Sequence, residues 1–166
     1  MLFRSLVALV SEAVNTATAV GPEWPVQFWA ARPVEVMGDK DRLRQVIDNL
    51  LANVRAHTPE GTSTTVRVDV INDEAEIEVC DNGPGMSGDE AGRVFERFFR
   101  ADPARSRTRG GSGLGLSIVA AIVEAHDGTV TAISAPGEGM TLTVRIPMSA
   151  NLSDPVPAES APQPVA

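Results

Sequence analysis

The chain has 166 residues, with 43% apolar and 22% charged content, so it is long enough for one domain with a real core and is not of disordered composition. The formal charge of −8 argues against nucleic acid or an anionic membrane surface as a partner for the whole chain. One cysteine, Cys80, excludes an internal disulfide, and no apolar run approaches the roughly 20 residues needed to span a bilayer.

The first segment, 2–17, places Phe3, Leu6, Val7, Val10, Ala13 and Val14 at helical spacing. Arg4 interrupts the opening apolar stretch, and no small-residue cleavage site follows, so it does not read as a signal peptide. After Gly21, Pro22 and Pro25, the short runs 26–30 and 34–37 predict a strand pair around Arg32-Pro33. A helix then begins near Asp39–Asp41 and carries Leu43, Val46, Ile47, Leu50, Leu51 and Val54 as one stripe, ending at Pro59 and Gly61. Val66, Val68 and Val70, then Ile77 and Val79, alternate with polar residues about a turn at 72–74, which predicts a hairpin. The stretch 81–113 is rich in Gly and Arg, with a short helix expected near 91–100; a connection this long in a compact domain is usually functional. Six of the fourteen basic residues fall between Arg93 and Arg109, which suits a compact anion such as a polyphosphate or, equally, a solvated charged face. A helix over 113–126 and a hairpin of 130–134 with 141–146 complete the domain, 1–148. Residues 149–166, with four prolines, read as a disordered tail. The order predicts an α+β fold, with a largely antiparallel sheet covered on one face by helices.

Four features carry candidate chemistry. Asn49 and Asn53 are four residues apart and so share a helix face beside the apolar stripe. A carboxamide oxygen there suits Mg²⁺, although two surface asparagines would look the same. Asp81 continues the inward parity of Ile77 and Val79 and precedes Asn82-Gly83-Pro84-Gly85. It could accept from an exocyclic amino group such as that of adenine, or merely cap a turn. Gly110–Leu116 runs into a helix, whose free N–H groups favour phosphate. It is neither a P-loop, since no Lys-Ser/Thr follows, nor a dinucleotide fingerprint, since no strand precedes it. Gly137-Glu138-Gly139-Met140-Thr141 alone is an ordinary hairpin turn.

In this order the motifs resemble the ATP-binding domain shared by histidine kinases and the gyrase, chaperone and mismatch-repair ATPases. Gln45–His57 resembles the N box, Asp81–Gly85 the first glycine box, Phe95–Phe99 the F box, Gly111–Leu116 the second glycine box and Gly137–Thr141 the third. The resemblance covers about residues 2–147 and implies a two-layer α/β sandwich with about five strands and three helices. It implies ATP and Mg²⁺ as ligands. Asn53 would hold the metal with Asn49 in support, Asp81 would read the adenine amino group, and His57 would lie against the base. The remaining contacts would come from Gly83, Gly85, Met86 and Phe95, from Arg107, Arg109 and Gly111, from Gly113, Leu114, Gly115 and Leu116, and from Thr141. Residues 86–112 would form a mobile lid.

Hydrolysing relatives carry a glutamate where Asn49 stands, and an amide is no base at neutral pH. With the F box, this points to the catalytic domain of a two-component sensor histidine kinase. The phosphoacceptor histidine would lie in a dimerisation domain outside this chain, and the cognate response regulator would receive the phosphoryl group. The parent would be a membrane-anchored homodimer with this domain in the cytoplasm, and the isolated domain would be monomeric. A nucleotide-gated binding module and a serine-directed kinase of the anti-sigma type are the alternatives. One departure is Ala56, where such kinases often carry Lys or Arg. Arg105, Arg107 or Arg109 is expected to supply that charge.

Overall fold

The computed structural model describes residues 2–101 and 113–148. Among these, β1 (Leu2–Ser5) leads into α1 (Leu6–Val20), β2 (Val26–Ala30), β3 (Glu35–Gly38) and α2 (Lys40–His57). The hairpin β4 (Thr64–Ile71) and β5 (Glu74–Asp81) follows, then a one-turn helix α3 (Gly88–Ala91), α4 (Gly115–Glu124), β6 (Thr129–Ser134) and β7 (Met140–Pro147). The main sheet runs β2-β4-β5-β7-β6, antiparallel except where β2 lies parallel to β4. The helices cover one face, as the α+β reading expects.

Strand parity divides the sheet. Val66, Val68, Ala75, Ile77, Val79, Leu142, Val144 and Ile146 face inward and meet the stripe of α2 and the buried face of α1 in one core. The other face carries cross-strand ion pairs, Arg145 to Glu76 at 2.8 Å and Arg67 to Glu78 at 3.5 Å, which are solvent-screened and add little stability. The β4–β5 turn holds Asn72 and Asp73 at φ of 51° and 63°, the left-handed pair a tight hairpin demands. Helix α2 starts where the Asp39 side chain accepts from Arg42 N at 2.9 Å. Losing that cap in Asp39→Ala is expected to cost about 1 kcal/mol, read as a lower midpoint in urea at unchanged slope.

Three sequence expectations need correction. Residues 2–5 are not helical: they pair antiparallel with β3, and the helix starts at Leu6 because Ser5 caps it through Ala8 N. The segments 26–30 and 34–37 do not pair with each other. Between them Arg32 is tied to Asp69 and the Val70 carbonyl, so β2 joins the main sheet beside β4 while β3 turns away to β1. The short helix expected at 91–100 lies earlier, at 88–91. A reciprocal capping box between Ser87 and Glu90 nucleates it, and beyond Gly92 the chain makes turns up to Phe98, whose φ is +61°. Helix α4 is also shorter than expected at its start, because Gly113 at φ +70° cannot be helical. No described helix is long and apolar enough to cross a membrane.

Helices α2 and α4 run in opposite directions, clamped at one end by His126. The backbone N–H of Asp39 donates to its Nε2 at 3.2 Å, which leaves the ring proton on Nδ1 to bond the Ile122 carbonyl at 2.8 Å. This fixes how the middle of α2 faces the start of α4.

Candidate nucleotide site

At the other end of that helix pair, Asn49 Nδ2 donates to the Gly115 carbonyl at 3.3 Å. A carbonyl only accepts, so the amide nitrogen must face α4 and the amide oxygen is left for another partner. Asn53, one turn further along α2, is half-buried, and its side chain makes no hydrogen bond among the described residues. His57 closes the helix. The residue is exposed, yet desolvation by its surroundings, and then the nearby Arg100 guanidinium, hold its pKa below the ordinary imidazole value, which favours the neutral ring at neutral pH.

Helix α4 begins differently from its neighbours. Side chains of Ser5, Asp39 and Ser87 cap α1, α2 and α3, whereas Leu114 at the N-cap of α4 offers none. Its first-turn N–H groups therefore remain available with the positive end of the helix dipole. A Cβ on Gly115 would meet open space, so the backbone there can be approached closely. Gly113 accepts from Phe98 N at 3.0 Å, which joins the F box to the second glycine box. Leu116 is buried in the core. Phe95 and Met86 are half-buried and pack against that core.

Asp81 ends β5 on the inward face, 7% exposed. Its Oδ1 accepts from Gly83 N at 2.8 Å. Burial pushes its pKa up, while the Gly83 and Met140 N–H groups pull it down less strongly. The glycines around it are geometric necessities. A Cβ on Gly83 would press on Asp81 Oδ1 at 2.8 Å and on Thr58 Cγ2 at 2.7 Å. Gly85, at φ +65°, sits against the Ala135 carbonyl, and Gly139, at φ +73°, sits against the Asp81 carbonyl. The third glycine box is thus more than a turn: it closes the β6–β7 hairpin over the first glycine box. Gly137 N donates to Pro84 O at 2.7 Å and Met86 N to Ser134 Oγ at 2.9 Å.

One expected contact is misplaced. Thr141 pairs with Cys80 across the strands and its hydroxyl donates to Cys80 Sγ at 3.4 Å, on the sheet face opposite Asp81. Met140, the register partner of Asp81, is the buried residue on the inward face. Sequence reasoning also missed Thr58. Its hydroxyl donates to the Val54 carbonyl at 2.7 Å and accepts from Trp24 Nε1 at 3.1 Å, fixing the end of α2 beside Gly83. Its place directly after His57 was the available signal. Arg105, Arg107, Arg109 and Gly111 lie outside the described residues. Of the expected lid, 86–101 is described, and its Ala91 and Val94 are buried.

The site thus sets a buried carboxylate, a helix-borne amide pair and an uncapped helix start around one end of the sheet. The description of histidine kinase-, DNA gyrase B- and HSP90-like ATPases matches residues 38–150, and the chain belongs to this family as an ATP-binding catalytic domain of the histidine kinase kind. Among relatives, it is 43% identical to the "Probable sensor histidine kinase TcrY" of Mycobacterium tuberculosis, over 93% of this chain and 32% of that protein. It is 39% identical to the signal transduction histidine-protein kinase BaeS of Escherichia coli, over 76% of this chain and 27% of that one. The solved mycobacterial sensor histidine kinase MprB superposes with a TM-score of 0.78 at 28% identity, covering 88% of this chain and 97% of that one. The chain spans about a third of the length of the curated relatives it matches.

Proposed function

We infer that this domain binds Mg·ATP and delivers the γ-phosphoryl group to a histidine on a dimerisation domain, from which a response regulator takes it. The observation that carries this is the Asn49 contact with Gly115, which draws α2 against the uncapped start of α4. Asp81 would take the adenine amino group, and neutral His57 would lie against the base. The α4 N–H groups, with Gly113, Leu114 and Gly115, would meet the phosphates. Phosphoryl transfer needs positioning and charge stabilisation more than covalent help, and these groups supply both. Arg107 and Arg109 are assigned to the phosphates in place of the charge absent at Ala56. Arg55 is poorly placed for that task, since its stem lies over Gly21 beside Trp24.

The residues suit magnesium of a particular kind. No group of three or more acidic, His or Cys side chains stands ready to hold a metal among the described residues. The unbonded amide oxygen of Asn53, with that of Asn49 in support, fits an ion that keeps its waters and leans on phosphate oxygens. The ion would neutralise charge on those phosphates. With an amide at Asn49, no general base is present there to activate water, so steady-state hydrolysis is expected to be slow. The parent protein is inferred to be a membrane-anchored homodimer with this domain on the cytoplasmic side.

The test is radiolabel transfer from γ-labelled ATP to a separately made dimerisation domain carrying the acceptor histidine. Labelled acceptor with little free phosphate is expected; rapid phosphate release without transfer would contradict the reading. Asn53→Ala is expected to lower ATP affinity about tenfold with Mg²⁺ present and hardly at all in EDTA, as read by titration calorimetry.

A further inference from the structure

One polar atom beside the base pocket is unused by the reading above. Thr64 opens β4, is 1% exposed, and its hydroxyl has no hydrogen-bond partner. Among the described residues, the only other such buried side-chain atom is Arg4 Nε, on β1. Three nearby hydroxyls are engaged: Thr58 with Val54 and Trp24, Thr62 with the Pro59 carbonyl, and Ser134 with the Gly139 carbonyl. Further along β4, the same face carries Val66, Val68 and Val70. A fourth valine would fill position 64 without stranding a hydroxyl in a dry interior.

The placement of that hydroxyl is specific. Thr64 is the register partner of Asp81, and directly opposed side chains sit with Cβ atoms roughly 4.5–5.5 Å apart, which is within reach of a hydrogen bond after rotation about χ1. Asp81 Oδ1 already accepts from Gly83, and no side-chain donor reaches the carboxylate among the described residues. On its other side Thr64 borders a cleft lined by Trp24, Val26, Leu51, Val54 and Arg55, so the side chain has room to turn. A base seated on Asp81 strips water from the carboxylate, which then needs a second donor to stay aimed.

We propose that Thr64 is a specificity-determining positioning residue of the base site: when an exocyclic amino group docks on Asp81, the Thr64 hydroxyl donates to the same carboxylate and holds its direction. The proposal rests on the ATP reading above. It gives a role to a buried hydroxyl that has no hydrogen-bond partner in the structure.

The test titrates the wild-type chain, T64V and T64S with ATP and with inosine 5′-triphosphate, which replaces the amino group by a carbonyl, and follows thermal melting without nucleotide. T64V is expected to lose ATP affinity about tenfold, to bind the inosine nucleotide unchanged, and to melt no lower than wild type. T64S is expected to keep the wild-type preference. An ATP-to-inosine preference in T64V equal to that of wild type would overturn the proposal. So would a T64V that melts lower and loses affinity for both nucleotides alike, which marks a purely structural residue. A wild-type chain that binds no ATP would instead strike the nucleotide reading itself, and the proposal with it.

Discussion

Asp81→Asn is expected to lower ATP affinity about 100-fold and to turn the base preference toward a purine bearing a carbonyl in place of the amino group. The reason lies in the Gly83 N–H, which donates to Asp81 Oδ1 at 2.8 Å. An asparagine must keep its single oxygen on that N–H, because its NH₂ would clash there donor to donor. The NH₂ is then aimed at the base, where it opposes an amino group and suits a carbonyl. Acidity adds a second signature. Burial raises the Asp81 pKa above its value in the unfolded chain. This group therefore favours the fold below the unfolded pKa, and that contribution is lost as pH rises through the folded value. At pH 7 the buried charge costs stability, so Asp81→Asn is expected to melt above wild type even as it loses ATP. Wild-type ATP affinity should fall as pH drops through the raised pKa, whereas the Asn variant should show no such fall. Calorimetric titration across pH, with thermal melts in parallel, reads both effects.

Gly139→Ala is expected to be the most damaging small substitution, at about 3 kcal/mol or more and a melting decrease on the order of 10 °C. Two costs coincide there. Gly139 has φ +73°, where an L side chain is strained, and its Cβ would run into the Asp81 carbonyl. Relief requires the β6–β7 hairpin to lift from β5, which moves the carboxylate as well. Gly61→Ala is the control. Its φ is +87°, yet a Cβ there meets nothing within 4 Å, so only the backbone strain of about 1 kcal/mol is expected. The difference between the two melts isolates the steric contact at Asp81.

Much of the site's scaffold was legible because it rests on short-range rules. The α2 stripe from Leu43 to Val54, the hairpin turn at Asn72-Asp73 and the inward parity of Asp81 follow from periods of 3.6 and 2. What failed depended on tertiary choices. Residues 2–5 have apolar spacing that suits a helix, but an available partner strand in β3 and a capping Ser5 outweigh it. The parallel pairing of β2 with β4 joins segments far apart in the chain, as does the Arg32 contact with Asp69, 37 residues distant in sequence. The displacement from Thr141 to Met140 was avoidable. Leu142, Val144 and Ile146 are the inward residues of β7, and the same alternation puts Met140 inside and Thr141 outside. The left-handed Phe98 had no sequence signal, because bulky residues seldom adopt that conformation and only its bond to Gly113 explains it here.

The most direct measurement is an amide NMR titration of the chain with Mg·ATP, following Gly83 beside Asp81, Asn53 on α2, and Gly115 at the head of α4. The account predicts that all three signals move together along one saturation curve with a single dissociation constant. Movement at one of these positions while the others stay fixed at saturation would contradict it.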